Sequence, residues 1–197
     1  MSNSYHANFF NPTESHRRDL KKRLNIINNH IETGERLLDI GTSGGYYSFG
    51  LRDKFENITA IDNIKEFIDQ CESIQKENKT NIDFRHMGIQ DILKNDLRYD
   101  CILYMSVHHH VIDDYGWEQA NMLLLEISKK SDIMFFDMGQ KDERCSEHNW
   151  WKMLPESNDQ KKWIREYLLK NIVHKNIELI GYTDIHNTKR LLWKTTK

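Results

Sequence analysis

The chain predicts an α/β fold: an open parallel sheet with helices on both faces and an antiparallel strand pair at the C-terminus. Three observations carry this. Short apolar runs rich in β-formers alternate with amphipathic helical stretches from residue 13 onward. The run Ile133-Met134-Phe135-Phe136 is apolar without alternation, as a parallel strand covered on both faces requires. The last two strand-like runs, 177–183 and 190–195, are so closely linked that they should pair antiparallel.

The elements follow in order. Asn11-Pro12-Thr13 reads as a helix start, Leu20, Leu24, Ile27 and Ile31 share one helical face, and Gly34 supplies the stop. Residues 36–40 form a short apolar strand, a glycine cluster follows, and the stretch from 46 to about 55 reads as a helix. A second strand at 57–61 leads to a helix carrying Ile64, Phe67, Ile68, Cys71 and Ile74. Residues 82–85 are a brief strand and 89–93 a helical turn. The fourth strand at 99–105, a helix at 115–129 and the fifth strand at 132–138 continue the alternation. The polar stretch 140–160, with Trp150, Trp151 and Pro155, is longer than an ordinary connection and predicts a lid or a small helix. A helix through Trp163, Ile164, Tyr167 and Leu168 precedes the closing strands, which meet at His186-Asn187.

Composition narrows the classes of function. With 28 Lys+Arg against 30 Asp+Glu the net charge is −2, which argues against a dedicated nucleic-acid binder, although a local patch can hide in a balanced total. Cys71, Cys101 and Cys145 include no CxxC pair, so neither a disulfide scaffold nor a thiolate zinc site is expected. The N-terminus lacks the apolar core of a signal peptide and no run approaches a membrane span, so the expectation is a cytoplasmic protein without membrane contact. Oligomeric state is not legible.

In open parallel sheets ligands bind beyond the carboxyl ends of the strands, at the switch point beside the first one. The residues there are 39–45, Asp62-Asn63, 87–91, 106–110 and Asp137. Asp62 lies 21 residues beyond Gly41, a spacing that suits hydrogen bonds to ribose hydroxyls. Asp39, just before the first glycine, separates two classes of cofactor. A pyrophosphate against this turn would be repelled by a carboxylate, and from Gly41 the sequence G-T-S-G-G-Y fails the dinucleotide pattern G-x-G-x-x-G. A ligand with an ammonium and a sulfonium is favoured by the same acid.

At Asp39-Ile40-Gly41-Thr42-Ser43-Gly44-Gly45 the chain resembles the class I, Rossmann-like S-adenosylmethionine-dependent methyltransferases, whose motif is D/E-x-G-x-G-x-G, with Ser43 in place of the middle glycine. The ordered strand ends extend the resemblance over residues 35–138, and the closing pair agrees with the family's antiparallel seventh strand. The resemblance implies S-adenosylmethionine as cofactor and S-adenosylhomocysteine as product. It places Asp39, Gly41 and Gly45 around the methionine part, with Thr42, Ser43 and Tyr46 completing the loop. Asp62 would bind the ribose beside Asn63, Ile89 would pack on adenine beside Gly88, and Ser106 would face the cofactor. Where the family often has an acid before the adenine-packing residue this chain has Gly88, so adenine recognition would fall to Ile89, Gln90 or Asp91 and the backbone. A narrower similarity, in DIGTSGGYYSF, SVHHH and GYTDIHNTKRLLW, is to the methyltransferase domain of bifunctional kinase–methyltransferases that cap polysaccharides. It hints at a sugar or sugar-phosphate acceptor, and no counterpart of the kinase half is expected within these 197 residues. The chain then reads as one domain: a lid and helix (1–34), a cofactor-binding core (35–138), and a lid segment, helix and strand pair (139–197).

Three consecutive histidines, His108 to His110, do not suit a metal, because adjacent side chains rarely converge and the i, i+4 pair is missing. Either one of them faces the acceptor as a general base, with His109 and His110 ahead of His108, or all three fill the pocket wall. Asp137 is the expected carboxylate partner of an acceptor hydroxyl or of a histidine. Arg17, Arg18, Lys21 and Lys22 form either a solvated helix face or a phosphate contact, and residues 5–10 are aromatic enough to fold over the cofactor. N-P-P-[YF] after strand four and a Pro-Cys nucleophile are both missing, which points to oxygen as the methyl acceptor. The alternatives are an RNA methyltransferase, a non-catalytic cofactor-binding module and, more distantly, a nicotinamide oxidoreductase.

Overall fold

The computed structural model describes Phe9 and residues 14–143, 149–185 and 188–197, with backbone alone at 14–18 and 185. The helices are α1 (Glu14–His30), α2 (Tyr46–Gly50), α3 (Lys65–Asn78), α4 (Ile89–Ile92), α5 (His108–Lys129), α6 (Trp150–Met153) and α7 (Gln160–Asn171). The strands are β1 (Gly34–Ile40), β2 (Phe55–Asp62), β3 (Asp83–His86), β4 (Tyr99–Met105), β5 (Ser131–Asp137), β6 (Asn176–Ile185) and β7 (Thr188–Thr196). They form one sheet in the order β3-β2-β1-β4-β5-β7-β6. The first five strands are parallel, and β7 runs antiparallel to both β5 and β6. Chain order reverses between β1 and β4, so their carboxyl ends flank a crevice.

Successive strand residues feed opposite layers, as the pleat dictates. Leu37, Cys101, Leu103 and Phe135 pack with α1, α2 and α3 on one face. Leu38, Ile102, Tyr104 and Phe136 pack with α4, α5, α6 and α7 on the other.

Three element boundaries differ from expectation. Helix α1 ends at His30 rather than at Gly34, because Lys54 and Lys194 supply ammonium groups to its last carbonyls: Nζ of Lys54 reaches Asn28 and Ile31 at 2.9 Å, and Nζ of Lys194 reaches His30 at 2.8 Å. Gly34 instead opens β1, where a Cβ would lie 2.8 Å from the Phe55 ring. Helix α2 stops at Gly50 and Phe55 already begins β2, since Phe55 is buried in the α1-side core. Helix α5 begins at His108, not near Tyr115, and is broken by non-helical Gly116 (φ 76°). Histidine hides that first turn from a hydrophobic pattern, although His108, His109, Val111 and Ile112 are all buried. Residues 140–160 carry a 3₁₀ turn at Lys141–Glu143 and the one-turn helix α6. The helix start at 11–13, residues 5–8 and 10, Cys145, the Arg17 and Arg18 side chains and the link His186-Asn187 lie outside the described residues.

Candidate active site

The turn after β1 is left-handed at Gly41 (φ 72°), Ser43 (φ 48°) and Gly45 (φ 74°). The two glycines are also sterically required: a Cβ would fall 2.5 Å from Val107 at Gly41 and 2.7 Å from the Phe49 ring at Gly45. Ser43 adopts the same conformation without being glycine because the turn holds it on both sides. Its N–H donates to Asp62 Oδ2 at 2.9 Å and its carbonyl accepts the Cys71 thiol at 3.1 Å.

Asp39 lies beneath this turn, 1 % exposed, rather than at its mouth. Its Oδ2 accepts the hydroxyls of Ser48 (2.6 Å) and Thr42 (3.0 Å), so the carboxylate braces both ends of the loop. Burial pushes its pKa up to about 6 against the pull of those two hydroxyls, and neighbouring Asp62 adds to the rise. Asp62 is fixed by two backbone amides, Ser43 on Oδ2 and Ile64 on Oδ1, both at 2.9 Å. Asn63 is exposed beside it, its carbonyl 3.2 Å from His86 Nε2. At the end of β3, Gly88 N–H donates to Asp91 Oδ2 at 3.0 Å, and Asp91 also pairs with Lys94. Asp91 is therefore occupied as a local cap, while Ile89 packs with Ile40 and Ile61. The Tyr46 ring meets Phe9 edge-on at 5.5 Å, so the described part of the N-terminal segment rests on α2.

At the ends of β4 and β5 the structure builds a buried charge network. Asp137 Oδ1 accepts both the N–H and the hydroxyl of Ser106, at 2.8 and 2.9 Å. The same hydroxyl accepts Nη1 of Arg190 (2.8 Å) and Nη1 of Arg23 (3.1 Å). Arg190 closes a bidentate pair with Glu143 through Nε and Nη2, and Arg23 Nε donates to Thr183 Oγ1 at 2.9 Å. Burial works against the charge of Arg23, but Asp137 above all, with Tyr47 and Glu143, more than restores it, and its pKa is held above the ordinary value.

Two expectations are corrected here. The Ser106 hydroxyl is consumed by this network instead of facing the cofactor. Asp137 pairs with Arg23, Arg190 and Ser106, not with a histidine. Arg23, Arg190 and Glu143 escaped the sequence reading. Arg23 was concealed by the adjacent basic run, yet it lies three residues after Leu20 and four before Ile27, on the apolar face of α1. Arg190 shares strand parity with buried Leu192.

The histidines divide. His108 is fully buried and set in a directed chain: Tyr167 O–H donates to Asn121 Oδ1 at 2.5 Å, so His108 Nε2–H must donate to Tyr167, and Nδ1 accepts Tyr104 O–H at 3.3 Å. Burial lowers its pKa to about 3. His109 is also buried, and its Nδ1 accepts the Gly139 N–H at 2.9 Å. That bond takes the Nδ1 lone pair and places the neutral ring's proton on Nε2, so His109 as built is a donor; its expected role as general base is corrected on that ground. Its ring rests 4.4 Å from Trp150 and 4.3 Å from His110. His110 is exposed. A groove of about 500 Å³ between Arg36, Asn57, Asn81 and Tyr99 lies at the amino ends of the strands, away from all of these groups. Among the described residues no helix is long and apolar enough to cross a membrane.

Comparison with known proteins agrees with this arrangement. A family model for a methyltransferase domain matches residues 37–129. The O-antigen chain terminator bifunctional methyltransferase/kinase WbdD of Escherichia coli is 25 % identical over 136 residues, covering 64 % of this chain and 19 % of that protein. A ubiquinone biosynthesis O-methyltransferase of Pelagibacter ubique is 34 % identical over 101 residues, covering 51 % of this chain and 40 % of the relative. The chain thus spans less than half the length of these relatives. Among solved structures, WbdD superposes with a TM-score of 0.77 at 21 % identity, over 99 % of this chain and 45 % of that one. An S-adenosylmethionine-dependent methyltransferase from Clostridium acetobutylicum gives 0.67 at 13 % identity, over 90 % and 92 %. With the glycine turn, Asp62 and the reversed strand order in place, residues 37–129 match the methyltransferase-domain family, and the chain has the fold of the S-adenosylmethionine-dependent methyltransferase on which it superposes.

Proposed function

We propose that the protein transfers the methyl group of S-adenosylmethionine to an oxygen of a small-molecule or saccharide acceptor, a sugar phosphate included. The observation that carries this reading is His110, an exposed imidazole at the start of α5, seated against a His109 that Gly139 and Trp150 hold in place. The names of two relatives, an O-antigen chain terminator and a ubiquinone O-methyltransferase, support oxygen as the acceptor atom.

The residues present suit the cofactor. The 41–45 turn offers backbone groups at β1, Asp62 offers a fixed carboxylate for ribose hydroxyls, and Ile89 an apolar surface for adenine. Bound S-adenosylmethionine supplies an electrophilic methyl group on a sulfonium. The protein's part is to align the acceptor oxygen with that methyl group and to take up the hydroxyl proton, which we assign to His110. Trp150 is part of the wall, and half-buried Trp151, with Lys141 and Lys152 within 6 Å of its ring, forms an outer lip.

The test is methyl transfer from labelled S-adenosylmethionine to a panel of sugars, sugar phosphates and short RNAs. Label should appear on a sugar or sugar-phosphate oxygen, and His110→Ala should lower turnover by about 10²-fold or more while leaving S-adenosylhomocysteine affinity unchanged. Transfer to RNA alone would overturn the acceptor assignment, and full activity in His110→Ala would leave alignment as the whole mechanism.

A further inference from the structure

On the α5–α7 face the structure leaves an aromatic corner that the mechanism does not use. Trp163 and Tyr167, one helical turn apart on α7, lie nearly parallel (18°) with ring centroids 5.6 Å apart. Trp117 of α5 stands at 89° to the first and 76° to the second, at 6.5 and 5.7 Å. All three are half-buried, so the corner has an open side. It is also held rigidly. Tyr167 O–H sits between Asn121 and His108, at 2.5 Å from each, and Trp117 Nε1–H donates to the Met153 carbonyl at 3.2 Å. Trp163 differs: its Nε1–H has no hydrogen-bond partner among the described residues and is not one of their buried orphaned atoms, so it opens to solvent. The same holds for half-buried Trp151 in α6. Gly116 (φ 76°) breaks α5 immediately before Trp117, and a Cβ there would meet nothing within 4 Å, so crowding is not what requires the break.

The one-turn helix α6 joins this corner to the acceptor side of the site. It starts with Trp150 on the His109 ring and ends with the Met153 carbonyl on Trp117. Trp117 follows His110 by seven residues of α5, about 10 Å of helix. A single sugar ring placed on His110 does not reach that far, whereas a chain of two or more does.

The chemistry of the corner selects its occupant. Aromatic faces meeting near a right angle suit the C–H faces of a pyranose, and indole N–H groups donate to its hydroxyl oxygens. An isoprenoid tail would strip water from those donors and put nothing in its place. A nucleic-acid backbone is disfavoured, because the exposed acids Asp113, Asp114 and Glu118 of α5 offset the exposed cations Lys161, Lys162 and Arg165 of α7.

We propose that Trp117, Trp163 and Tyr167 form a saccharide subsite that holds the second or a later unit of an extended acceptor while its terminal unit meets His110. This rests on the saccharide-acceptor reading given above and adds a length requirement to it.

The test compares methyl transfer to single sugars and to the matching oligosaccharides, up to hexasaccharides, with the full chain. The wild type should show a lower KM for the oligosaccharides. Trp163→Ala should raise that KM roughly ten-fold, the scale of one lost stacking contact, with kcat, the KM for single sugars and S-adenosylhomocysteine affinity all unchanged. Trp163→Phe keeps a stacking face and should recover most of the loss. A merely structural role would instead lower turnover with both classes of acceptor, and that result would overturn the proposal. Should Trp163→Ala fail to fold, the wild type still decides. In nitrogen-labelled protein the Trp163 indole N–H resonance should shift with a hexasaccharide and stay in place with a single sugar. Equal wild-type KM values for short and long acceptors, an unchanged KM in Trp163→Ala, or an indole resonance that ignores the hexasaccharide would each overturn the subsite. Transfer to no sugar of any length would overturn the saccharide reading itself, and the subsite with it.

Discussion

The two faces of the sheet solve the same problem, burying polar groups at the strand ends, in opposite ways. On the α1–α2 side the groups are charged: Asp39, Asp137, Arg23 and Arg190, with Glu143 beside them. On the α5–α7 side they are neutral: Tyr104, His108, Tyr167 and Asn121 hydrogen-bond in one direction with no formal charge. On the charged side Asp137 Oδ2 has no hydrogen-bond partner, while in the neutral chain both hydroxyls and both nitrogens of the His108 ring are engaged. A network with uncommitted atoms is suited to receive a polar ligand, and a closed one is suited to hold a wall still.

The faces should also titrate with opposite sign. Asp39 has its folded pKa raised from 3.8 to about 6, so its stabilising contribution is fully present below 3.8 and is lost as pH rises through about 6. His108 has its folded pKa lowered from 6.5 to about 3, so its contribution is present above 6.5 and is lost as pH falls towards 3. Between roughly pH 4 and 6 the two partly cancel.

The largest effect should come from breaking the charged side. Arg190→Met leaves Glu143 and Asp137 with an uncompensated buried charge and should cost about 3–5 kcal/mol of unfolding free energy, measured by urea denaturation at pH 7. A loss under 1 kcal/mol would mean that the network carries no more than an exposed ion pair. Next in size is Asp39→Asn, read as stability against pH. The wild type gives up about 3 kcal/mol at this one group between pH 3.8 and about 6, at 1.36 kcal/mol per pKa unit. The variant lacks that loss, so its stability should rise more steeply than the wild type's as pH increases through the window. Parallel curves would show that Asp39 titrates normally. The smallest effect belongs to the neutral side: Tyr167→Phe removes one acceptor and one donor from the chain and should cost about 1–2 kcal/mol, with S-adenosylhomocysteine affinity unchanged. A change in that affinity would tie the neutral chain to the cofactor and dissolve the contrast between the faces.

Most of the fold was legible because strand and helix periods are local. The alternation through β1 to β5 and the closing antiparallel pair are written in runs of four to ten residues. Legibility failed where a residue's class misstates its surroundings. Histidines at 108 and 109 read as polar and concealed the first turn of α5. Arg23 read as one more cation in a surface run, although its spacing from Leu20 and Ile27 puts it inside. At the site, Asp39 and Asp62 stand at the strand ends where the motif puts them. What no motif could show is that Asp39 is braced from within the turn by Thr42 and Ser48. Nor does any local pattern reveal that a Gly139 amide thirty residues away takes the lone pair of His109. Such contacts are set by tertiary packing, which spacing along the chain does not encode.

The central claim is that the cofactor lies over the charged side and the acceptor over the histidine and tryptophan side. Amide hydrogen exchange, with and without S-adenosylhomocysteine, tests it most directly. The account predicts new protection at residues 41–47, at Asp62 to Ile64 and in α1 around Arg23, with α6 and α7 exchanging as in the free protein. Protection concentrated in Trp150–Met153 and α7, with the 41–45 turn unaffected, would contradict it.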